Sequence, residues 1–498
     1  MQKSHEQLNN VNPQVDNPNP TEEKDGIQLK SDKLRNAPMG KLLFSMALPA
    51  IISMLIEAMY NIVDGMYISA LGQEAFDALG IGRPLIMIVI AVGIGLGVGA
   101  NVFVARQLGF GDREKANQVA KTAFVLAIIA WAVFFVLAFL IPKPFVKLFT
   151  SSQATVNYHQ EYVPLYMMAS LFCLLSMTGS KILQATGNMR IPMISQICGC
   201  VTNIILDPIF IFKEKTILGF INIHGFGLGM RGAIIATVIG QFVACAIVLY
   251  VFLRGKQDVQ FFPAGLRFSF KNVKDIFNIG LPNFVLNAVG SFTTIILNSL
   301  LKQYDNGITI LTIYFTCQSF VFMPTFGLTQ GATPIMSYNY GANLKHRFDD
   351  CLKKTLITAM CFMFFGFALF QICPEIIVKM FMTDTQTNPQ IIAEATTAFR
   401  TISWAFLLAG ISVITITLLQ SLNVGMYAML MSLLRQLGFI VPLAYILNSI
   451  NGLDSIFLCY PLAEVLTLAI FLPIAIKKYK KIFEKRALLA EQNTLNLD

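Results

Sequence analysis

Long apolar runs without a charged residue recur along this chain, and they limit its fold more than any other feature of the sequence. Residues 84–105 and residues 232–253 are two such runs, each bounded by arginines. A helix of about 20 apolar residues crosses the roughly 30 Å hydrocarbon core of a bilayer. Because backbone polar groups in lipid have to be hydrogen-bonded within their own segment, we expect these runs to be membrane-spanning helices.

Composition supports the same fold class, since 55% of the 498 residues are apolar and only 13% are charged. An ordinary soluble domain has about 25% charged residues, so a soluble enzyme, a disulfide scaffold, a disordered protein and a coiled coil are excluded. The sequence predicts an all-α polytopic membrane protein with twelve transmembrane helices. Their expected ranges are 42–70, 82–106, 118–141, 162–186, 191–212, 232–253, 276–301, 308–339, 352–372, 399–422, 425–449 and 455–476.

The distribution of basic residues predicts the orientation in the membrane. Most of the 37 Lys and Arg residues fall in segments that share one side when the N-terminus is inside, so both termini are expected in the cytoplasm. Residues 1–36 are expected to be a disordered cytoplasmic tail, and residues 477–498 a basic cytoplasmic tail that anchors at the membrane surface. Few aromatic residues interleave with the basic ones, so nucleic-acid binding is not expected despite the net charge of +9.

The two halves of the chain resemble each other in sequence. Six spans are expected in an N-lobe at residues 37–253 and six in a C-lobe at residues 276–476, joined by a cytoplasmic linker at 254–275. Transporters built from two such repeats place their substrate between the halves, near the middle of the membrane. The aligned segments are Leu48-Pro49 with Leu281-Pro282, Gly99-Ala100 with Gly331-Ala332, and Leu206-Asp207-Pro208 with Ile440-Val441-Pro442.

Acidic residues inside the spans mark the candidate functional site, because each costs about 2.5–3.5 kcal/mol to insert. Glu57, Asn61 and Asp64 are spaced to lie on one face of the first span. Asn203 and Asp207 are one helical turn apart in the fifth span. The second half has Val441 where Asp207 would be, which indicates a function confined to the first half.

The chemistry of this set favours a small hard cation. Pro208 cannot donate a hydrogen bond to the carbonyl of Ile204, so that oxygen is free beside Asp207. Carboxylate, amide and carbonyl oxygens suit a proton or Na⁺ and do not suit a soft transition metal. Burial and a second nearby carboxylate both disfavour ionisation, so the pair is expected to exchange a proton near neutral pH. Histidine is not needed, since all four lie outside the expected spans.

Structural roles remain open for several of these residues. Asp64 and Asp207 could cap a helix end or pair with Lys181. Glu57 could line a water-filled cavity without contacting substrate. Glu464 could support packing near the cytoplasmic end of the twelfth span. Four amides are expected to form helix–helix hydrogen bonds: Asn287, Gln318, Gln330 and Gln420.

Several motifs occur together and in order in this chain. They are Leu48-Pro49, Tyr60 to Asp64 followed by Gly72, Gln184 to Asn188, Asn203 to Pro208, and Gly229 to Thr237. In these motifs the chain resembles the multidrug and toxic compound extrusion (MATE) family. The resemblance implies two six-helix lobes around a central cavity that opens alternately to each side of a bacterial plasma membrane. It further implies export of amphipathic, often cationic drugs in exchange for H⁺ or Na⁺.

The resemblance also implies roles for individual residues. The cation would bind at Asp64, Asn203, Asp207 and Thr237, and Pro49 would be the hinge of the first helix. A second branch of the family uses acidic residues in spans seven and ten, which this chain lacks. From their positions alone, we expect Glu57, Asn61, Gln184 and Asn287 to line the substrate cavity. We expect no cofactor, a monomer, and contacts with membrane lipid and small drugs only.

Rival functions fit the sequence less well. A flippase for lipid-linked oligosaccharides, from the same broader superfamily, would need several deep Lys or Arg residues, and only Lys181 and Arg435 qualify. A membrane-embedded prenyltransferase would need a DDxxD motif, which does not occur. A membrane-embedded protease would need a GxGD motif within a span, and the match at Gly109 to Asp112 lies outside the expected spans. The chain has no GxxxxGK[ST] sequence for ATP hydrolysis, so transport is expected to draw on an ion or substrate gradient.

Overall fold

A computed structural model describes residues 32–217, 221–254, 258–259, 270–304, 307–380 and 389–495, which are almost entirely helical. Two strands, β1 (Glu214–Ile217) and β2 (Ile221–His224), form an antiparallel hairpin. The helices are α1 (Asp32–Asn36), α2 (Met39–Ser69), α3 (Gln73–Phe110), α4 (Arg113–Leu140), α5 (Pro142–Lys147), α6 (Gln153–Ala185), α7 (Arg190–Ile211), α8 (Met230–Leu253), α9 (Phe270–Leu301), α10 (Gly307–Gly341), α11 (Lys345–Ile372), α12 (Pro374–Met380), α13 (Pro389–Ser421), α14 (Gly425–Leu433), α15 (Val441–Asn451), α16 (Leu453–Ile456) and α17 (Cys459–Leu495).

The long helices confirm the all-α membrane fold. Among the described residues, eleven helices are long and apolar enough to cross a membrane, counting α14 to α15 as one, and α9 contributes a shorter apolar stretch at Phe292–Leu301. The first lobe contains α2, α3, α4, α6, α7 and α8. The second contains α9, α10, α11, α13, the α14–α15 pair and α17.

Glycines let the two lobes approach closely at one end of the bundle. α3 packs against α9, and α10 packs against α2 and α3. A Cβ on Gly280 would lie 2.6 Å from the Gly95 carbonyl oxygen, and one on Gly331 would lie 2.7 Å from the Ala47 nitrogen. We call this end, which holds the start of α2 and the ends of α3 and α10, the terminal end. Direct backbone contact there closes the space between the lobes.

Two segments near the ends of the described chain are helical where the sequence predicts tails. Residues 1–31 lie outside the described part, but 32–36 form α1, so the expectation of disorder is wrong for these five residues. Leu34 is fully buried, and its carbonyl accepts hydrogen bonds from Asn339 and Arg347. At the other terminus, α17 continues through the basic segment to Leu495. That segment is a docked helical extension, because Phe483 is buried against Phe348.

Three further features differ from the predicted spans. Residues 270–275, assigned to the linker, belong to α9, while most of the linker lies outside the described residues. The eleventh span is interrupted by a π-helical segment, Leu434–Ile440. His159 lies inside α6 and is fully buried, so the placement of all histidines outside the spans is wrong. The helix of the fourth span, α6, begins at Gln153, whereas the expected span begins at residue 162.

Candidate cation site and central cavity

Four residues of the first lobe form a buried polar group, which we call the aspartate cluster: Asp64, Asn203, Asp207 and Thr237. The side-chain amide of Asn203 donates to Asp207 Oδ1 at 3.2 Å and lies 3.2 Å from Thr237 Oγ1. Asp207 is completely buried, and the other three are 8% exposed or less. Asp64 lies close enough to interact electrostatically with Asp207. The structure therefore brings together all four residues of the expected cation site.

Close packing of α7 against α8 produces this geometry. A Cβ on Gly240 would lie 2.7 Å from the Gly199 carbonyl oxygen and 3.2 Å from the Asn203 Cβ. Thr237 precedes Gly240 by three residues, so the same close approach carries its hydroxyl to Asn203. Pro208 lies inside α7 directly after Asp207 and removes one backbone donor from this turn. Small residues at a helix interface are the usual means of such approach in membranes.

Tyrosine side chains surround the aspartate cluster, and the sequence analysis missed them. Tyr60 and Tyr162 both interact with Asp64 and with Thr237. Tyr67 interacts with Asp207. Tyr60 precedes Asp64 by one helical turn, so helical spacing alone could have placed it there. These tyrosines place hydroxyl groups beside the two carboxylates.

The aspartate cluster has a surplus of hydrogen-bond acceptors. In the part of the chain that the structure describes, Asp64 Oδ1, Asn203 Oδ1 and Asp207 Oδ2 are buried without a hydrogen-bond partner. Burying such oxygens without a donor or a cation is costly. All three are oxygens, which are the ligands of Na⁺ and the acceptors of a proton. Among the described residues, no group of three or more His, Cys, Asp or Glu side chains is placed so that it could hold a metal ion.

Three of the residues expected to line the cavity lie on α2 and α6, closer to the terminal end than Asp64 is. Glu57 and Asn61 are exposed, and the Asn61 amide donates to the Glu57 backbone carbonyl at 2.8 Å. Gln184 is buried and bound to Lys181. The side chain of Asn287 lies outside what the structure describes. Glu57 and Asn61 thus face accessible space, whereas Asp64, on the same helix, is buried against α7.

Lys181 is the centre of a polar network between the lobes. Its ammonium donates to Gln184 Oε1 at 3.2 Å and to Gln330 Oε1, on α10 of the second lobe, at 2.8 Å. Asn101 donates to the Lys181 carbonyl at 2.7 Å. The alternative of an ion pair between Lys181 and either aspartate of the cluster has no support in these contacts. Gln330 forms the helix–helix hydrogen bond expected of it, and Gln420 does the same with Asn283 at 3.0 Å.

The second lobe holds a different arrangement, in which a carboxylate is already paired. Glu464 bonds to Arg435 at 2.6 Å and accepts from the Ser412 hydroxyl at 2.6 Å. Arg435 is in the π-helical segment. Glu464 lies near the start of α17, away from the terminal end. Glu464 therefore neutralises Arg435, which is one of the two deep basic residues named in the sequence analysis.

Comparison with known proteins settles the family. The MatE family profile matches residues 49–209 and, a second time, residues 279–446. The chain belongs to the MatE family. The double match covers both halves of this MatE protein, which agrees with the internal repeat. Its members and structural neighbours are membrane transporters and not enzymes.

Relatives of this MatE protein include multidrug export proteins from staphylococci. The MepA protein of Staphylococcus haemolyticus is 25% identical over 441 residues, covering 88% of this chain and 94% of that protein. A Staphylococcus aureus MepA is 26% identical, covering 86% and 92%. Among solved structures, a MOP-superfamily transporter from Pyrococcus furiosus has a TM-score of 0.84 at 22% identity, covering 92% of this chain and 99% of its own. An outward-facing MATE transporter has a TM-score of 0.83 at 22% identity, with the same coverage.

Proposed function

We propose that this protein is a secondary active efflux antiporter. It exports amphipathic, often cationic compounds in exchange for H⁺ or Na⁺ by alternating access. The observation that carries the proposal is the surplus of buried acceptor oxygens in the aspartate cluster. Similarity to multidrug export proteins over most of both chains supports the substrate class. No cofactor is needed, because the gradient supplies the driving force.

Charge neutralisation in the aspartate cluster couples the two fluxes. With the carboxylates ionised, the low-dielectric cavity attracts a cationic substrate. A proton or Na⁺ that binds Asp64, Asn203 and Asp207 cancels this attraction, so the substrate leaves. The ion shifts the balance between the two open states only by binding one of them more tightly. One buried site therefore serves both as the ion sensor and as the source of substrate affinity.

The hinge of this mechanism is Pro49 on α2, which also carries Asp64. Pro49 lies inside the helix and is buried, and a proline there removes a backbone hydrogen bond. Its distance from Asp64 is 15 residues, about 22 Å along the axis. Movement of α2 at Pro49 therefore displaces Asp64 relative to α7. This displacement changes the distance between Asp64 and the other ion ligands, Asn203 and Asp207.

The setting of the transporter follows from the sequence and the fold. We propose a bacterial plasma membrane location with both termini in the cytoplasm, lipid and small compounds as the partners, and a monomer that does not bind nucleic acid. Residues 37–253 and 276–476 form the two lobes, a division supported by the double family match. With the terminal end in the cytoplasm, the closed lobe contact lies on the inner side, and the cavity opens outward.

Reconstituted vesicles test the proposal directly. A cationic dye is loaded, and a pH gradient or a Na⁺ gradient is imposed separately. We expect one gradient to drive transport, and Asp64→Asn or Asp207→Asn to abolish it. Asp112→Asn is the matched control, because Asp112 is outside the spans and caps α4 by accepting from Lys115 N at 3.0 Å. Asparagine caps equally well. Wild-type transport in both cluster variants, at equal protein levels, would refute the proposal.

A further inference from the structure

A cavity of about 570 Å³ lies between α6 and α8, and we call it the α6–α8 groove. It contains two charged side chains, Glu161 of α6 and Arg231 of α8. Arg231 Nε donates to Glu161 Oε1 at 3.1 Å. No residue of the aspartate cluster is among those that line the groove. The other lining residues are Asn157, Gln160, Leu165 and Ile235.

The α6–α8 groove faces away from the second lobe. A Cβ on Gly93 of α3 would lie 2.8 Å from Met177 Sδ, and one on Gly97 would lie 2.8 Å from Lys181 Cγ. At 3.6 residues per turn, Met177 and Lys181 are on the opposite side of α6 from Glu161. Since α3 itself packs against α9 and α10, it separates α6 from the second lobe. The groove therefore opens on the lipid-facing surface of the first lobe and not into the space between the lobes.

Both charged side chains of the groove lie at the edge of the membrane. Arg231 immediately precedes the charge-free run 232–253, and Glu161 immediately precedes the charge-free run 162–180. In the proposed orientation this edge is the level of the outer-leaflet headgroups. The two side chains are 68% and 29% exposed, so their ion pair is weak and can open to admit a polar ligand.

An apolar stripe continues from the two charges towards the middle of the membrane. Its rings, those of Phe172 and Phe242, meet edge to face with their centroids 5.2 Å apart. From Glu161 to Phe172 the chain advances 11 residues, about 16 Å of helix, which is close to half of the ~30 Å hydrocarbon core. The stripe therefore has the depth of one leaflet and the length of one acyl chain. Along the two helices its members are Leu165, Ile235, Phe172 and Phe242.

The two charges specify the headgroup. In the described part of the chain Arg231 hydrogen-bonds through Nε alone, which leaves its two terminal nitrogens to bind phosphate. Arg231 is in the first turn of α8, where the positive end of the helix dipole adds to the attraction for an anion. The Glu161 carboxylate accepts hydrogen bonds from a primary ammonium, whereas a quaternary ammonium has no N–H to donate. The groove therefore complements a net-neutral headgroup that contains a phosphate and a primary ammonium.

We propose that the α6–α8 groove is a binding site for one phosphatidylethanolamine molecule of the surrounding bilayer. Arg231 binds the lipid phosphate, and Glu161 binds the primary ammonium. One acyl chain lies along the apolar stripe as far as the Phe172–Phe242 ring pair. The site is separate from the aspartate cluster, and it does not depend on which ion drives efflux. The alternative is a surface that holds lipid through the apolar stripe only, and such a surface would accept any headgroup.

Lipid titration of the purified protein in detergent, followed by native mass spectrometry, tests the headgroup preference. The probes are dioleoyl phosphatidylethanolamine, dioleoyl phosphatidylcholine and dioleoyl phosphatidylglycerol, which share the same acyl chains. For the first lipid bound, wild type is expected to bind phosphatidylethanolamine about tenfold more tightly than either of the others, the difference of one charge-assisted hydrogen bond. Equal binding of the three lipids, or tightest binding of phosphatidylglycerol, would overturn the proposal.

Two variants locate this preference in the groove. Glu161→Met is expected to bring the affinities for the ethanolamine and choline lipids to about the same value, because only the ammonium contact is lost. Arg231→Met is expected to weaken both lipids about tenfold, since both contain the phosphate. Glu375→Met is the matched control, because Glu375 forms an exposed pair with Lys379 at 2.6 Å in the second lobe, and it should change none of the affinities. An unchanged preference in Glu161→Met would refute the assignment.

A third variant tests the position of the acyl chain. Leu165→Trp keeps both charges and fills the groove below them, so it is expected to weaken phosphatidylethanolamine binding, and unchanged binding would contradict the proposed position. Binding is measured without a gradient or a drug, so the lipid site and the efflux function fail separately. A protein that transports in vesicles but shows no headgroup preference contradicts the lipid site only.

Discussion

Removing one partner of the Arg435–Glu464 pair should destabilise the second lobe strongly. The side chains are 22% and 7% exposed and bond at 2.6 Å. Glu464→Gln keeps the shape and the Ser412 contact but leaves the Arg435 charge without its counter-ion. Breaking a buried ion pair in this way costs about 3–5 kcal/mol. Because Arg435 retains some exposure, we expect a loss of about 3 kcal/mol, at the lower end of that range.

Exposed and buried pairs in the same protein can be compared directly. Lys354 bonds to Asp350 at 2.7 Å, but these side chains are 43% and 33% exposed. Lys354→Met is therefore the matched control and should cost less than about 1 kcal/mol. The double variant Arg435→Met/Glu464→Met removes both buried charges, and it should recover most of the stability lost by Glu464→Gln.

Thermal unfolding in detergent measures these differences, with a thiol-reactive dye as the probe. Most of the nine cysteines are buried, Cys459 in α17 among them, so dye labelling reports unfolding of the helices. A loss for Glu464→Gln no larger than that for Lys354→Met would show that the pair is effectively solvated. A double variant as unstable as the single one would show that the charge itself is not the cause.

Three more predictions concern movement between the lobes. Pro49→Ala should make α2 more stable as a straight helix by up to about 3 kcal/mol and should therefore slow efflux in vesicles. Pro84→Ala in α3 is the control and should leave the efflux rate unchanged. Equal effects of the two substitutions would argue against a hinge at Pro49. Gly99→Leu should push the opposing lobe away and lower both the unfolding temperature and efflux, whereas Gly40→Leu meets nothing within 4 Å and should be neutral. Arg486→Ala should remove about 1–3 kcal/mol of charged hydrogen bonding and speed proteolysis of the C-terminal helix; an unchanged digestion rate would contradict the docked extension.

The predicted helices were largely correct because lipid allows few alternatives. The length of the apolar runs located the spans, and the one-turn spacing of Asn203 and Asp207 was enough to anticipate their contact. Their meeting with Asp64 and Thr237 came from resemblance to a family, since helix spacing carries no information about which helices are neighbours. The structure brings all four together, while their role as an ion site stays a prediction.

Contacts between distant segments account for most of what the sequence could not supply. Gln330 is 149 positions from Lys181, and Glu464 is 29 positions from Arg435. From the sequence alone, Lys181 and Arg435 could each have had several polar partners. The π-helical segment that carries Arg435 has no simple sequence signal, and α6 begins with polar residues that hydropathy assigns to a loop. Polar pairing in a helical bundle depends on rotation about each helix axis, which sequence periodicity constrains only within one helix.

The docked end of α17 contacts both lobes, which the proposed transport cycle separates. The Arg486 guanidinium bonds to the Tyr340 carbonyl, stacks 4.3 Å from the Tyr340 ring in the second lobe and lies 5.5 Å from the Phe110 ring in the first. This one side chain bridges the two lobes at the terminal end, so under the proposed alternating access its contacts have to break each time the cavity opens there. The proposed mechanism therefore predicts that changes in residues 477–498 alter the turnover rate without altering any residue of the aspartate cluster.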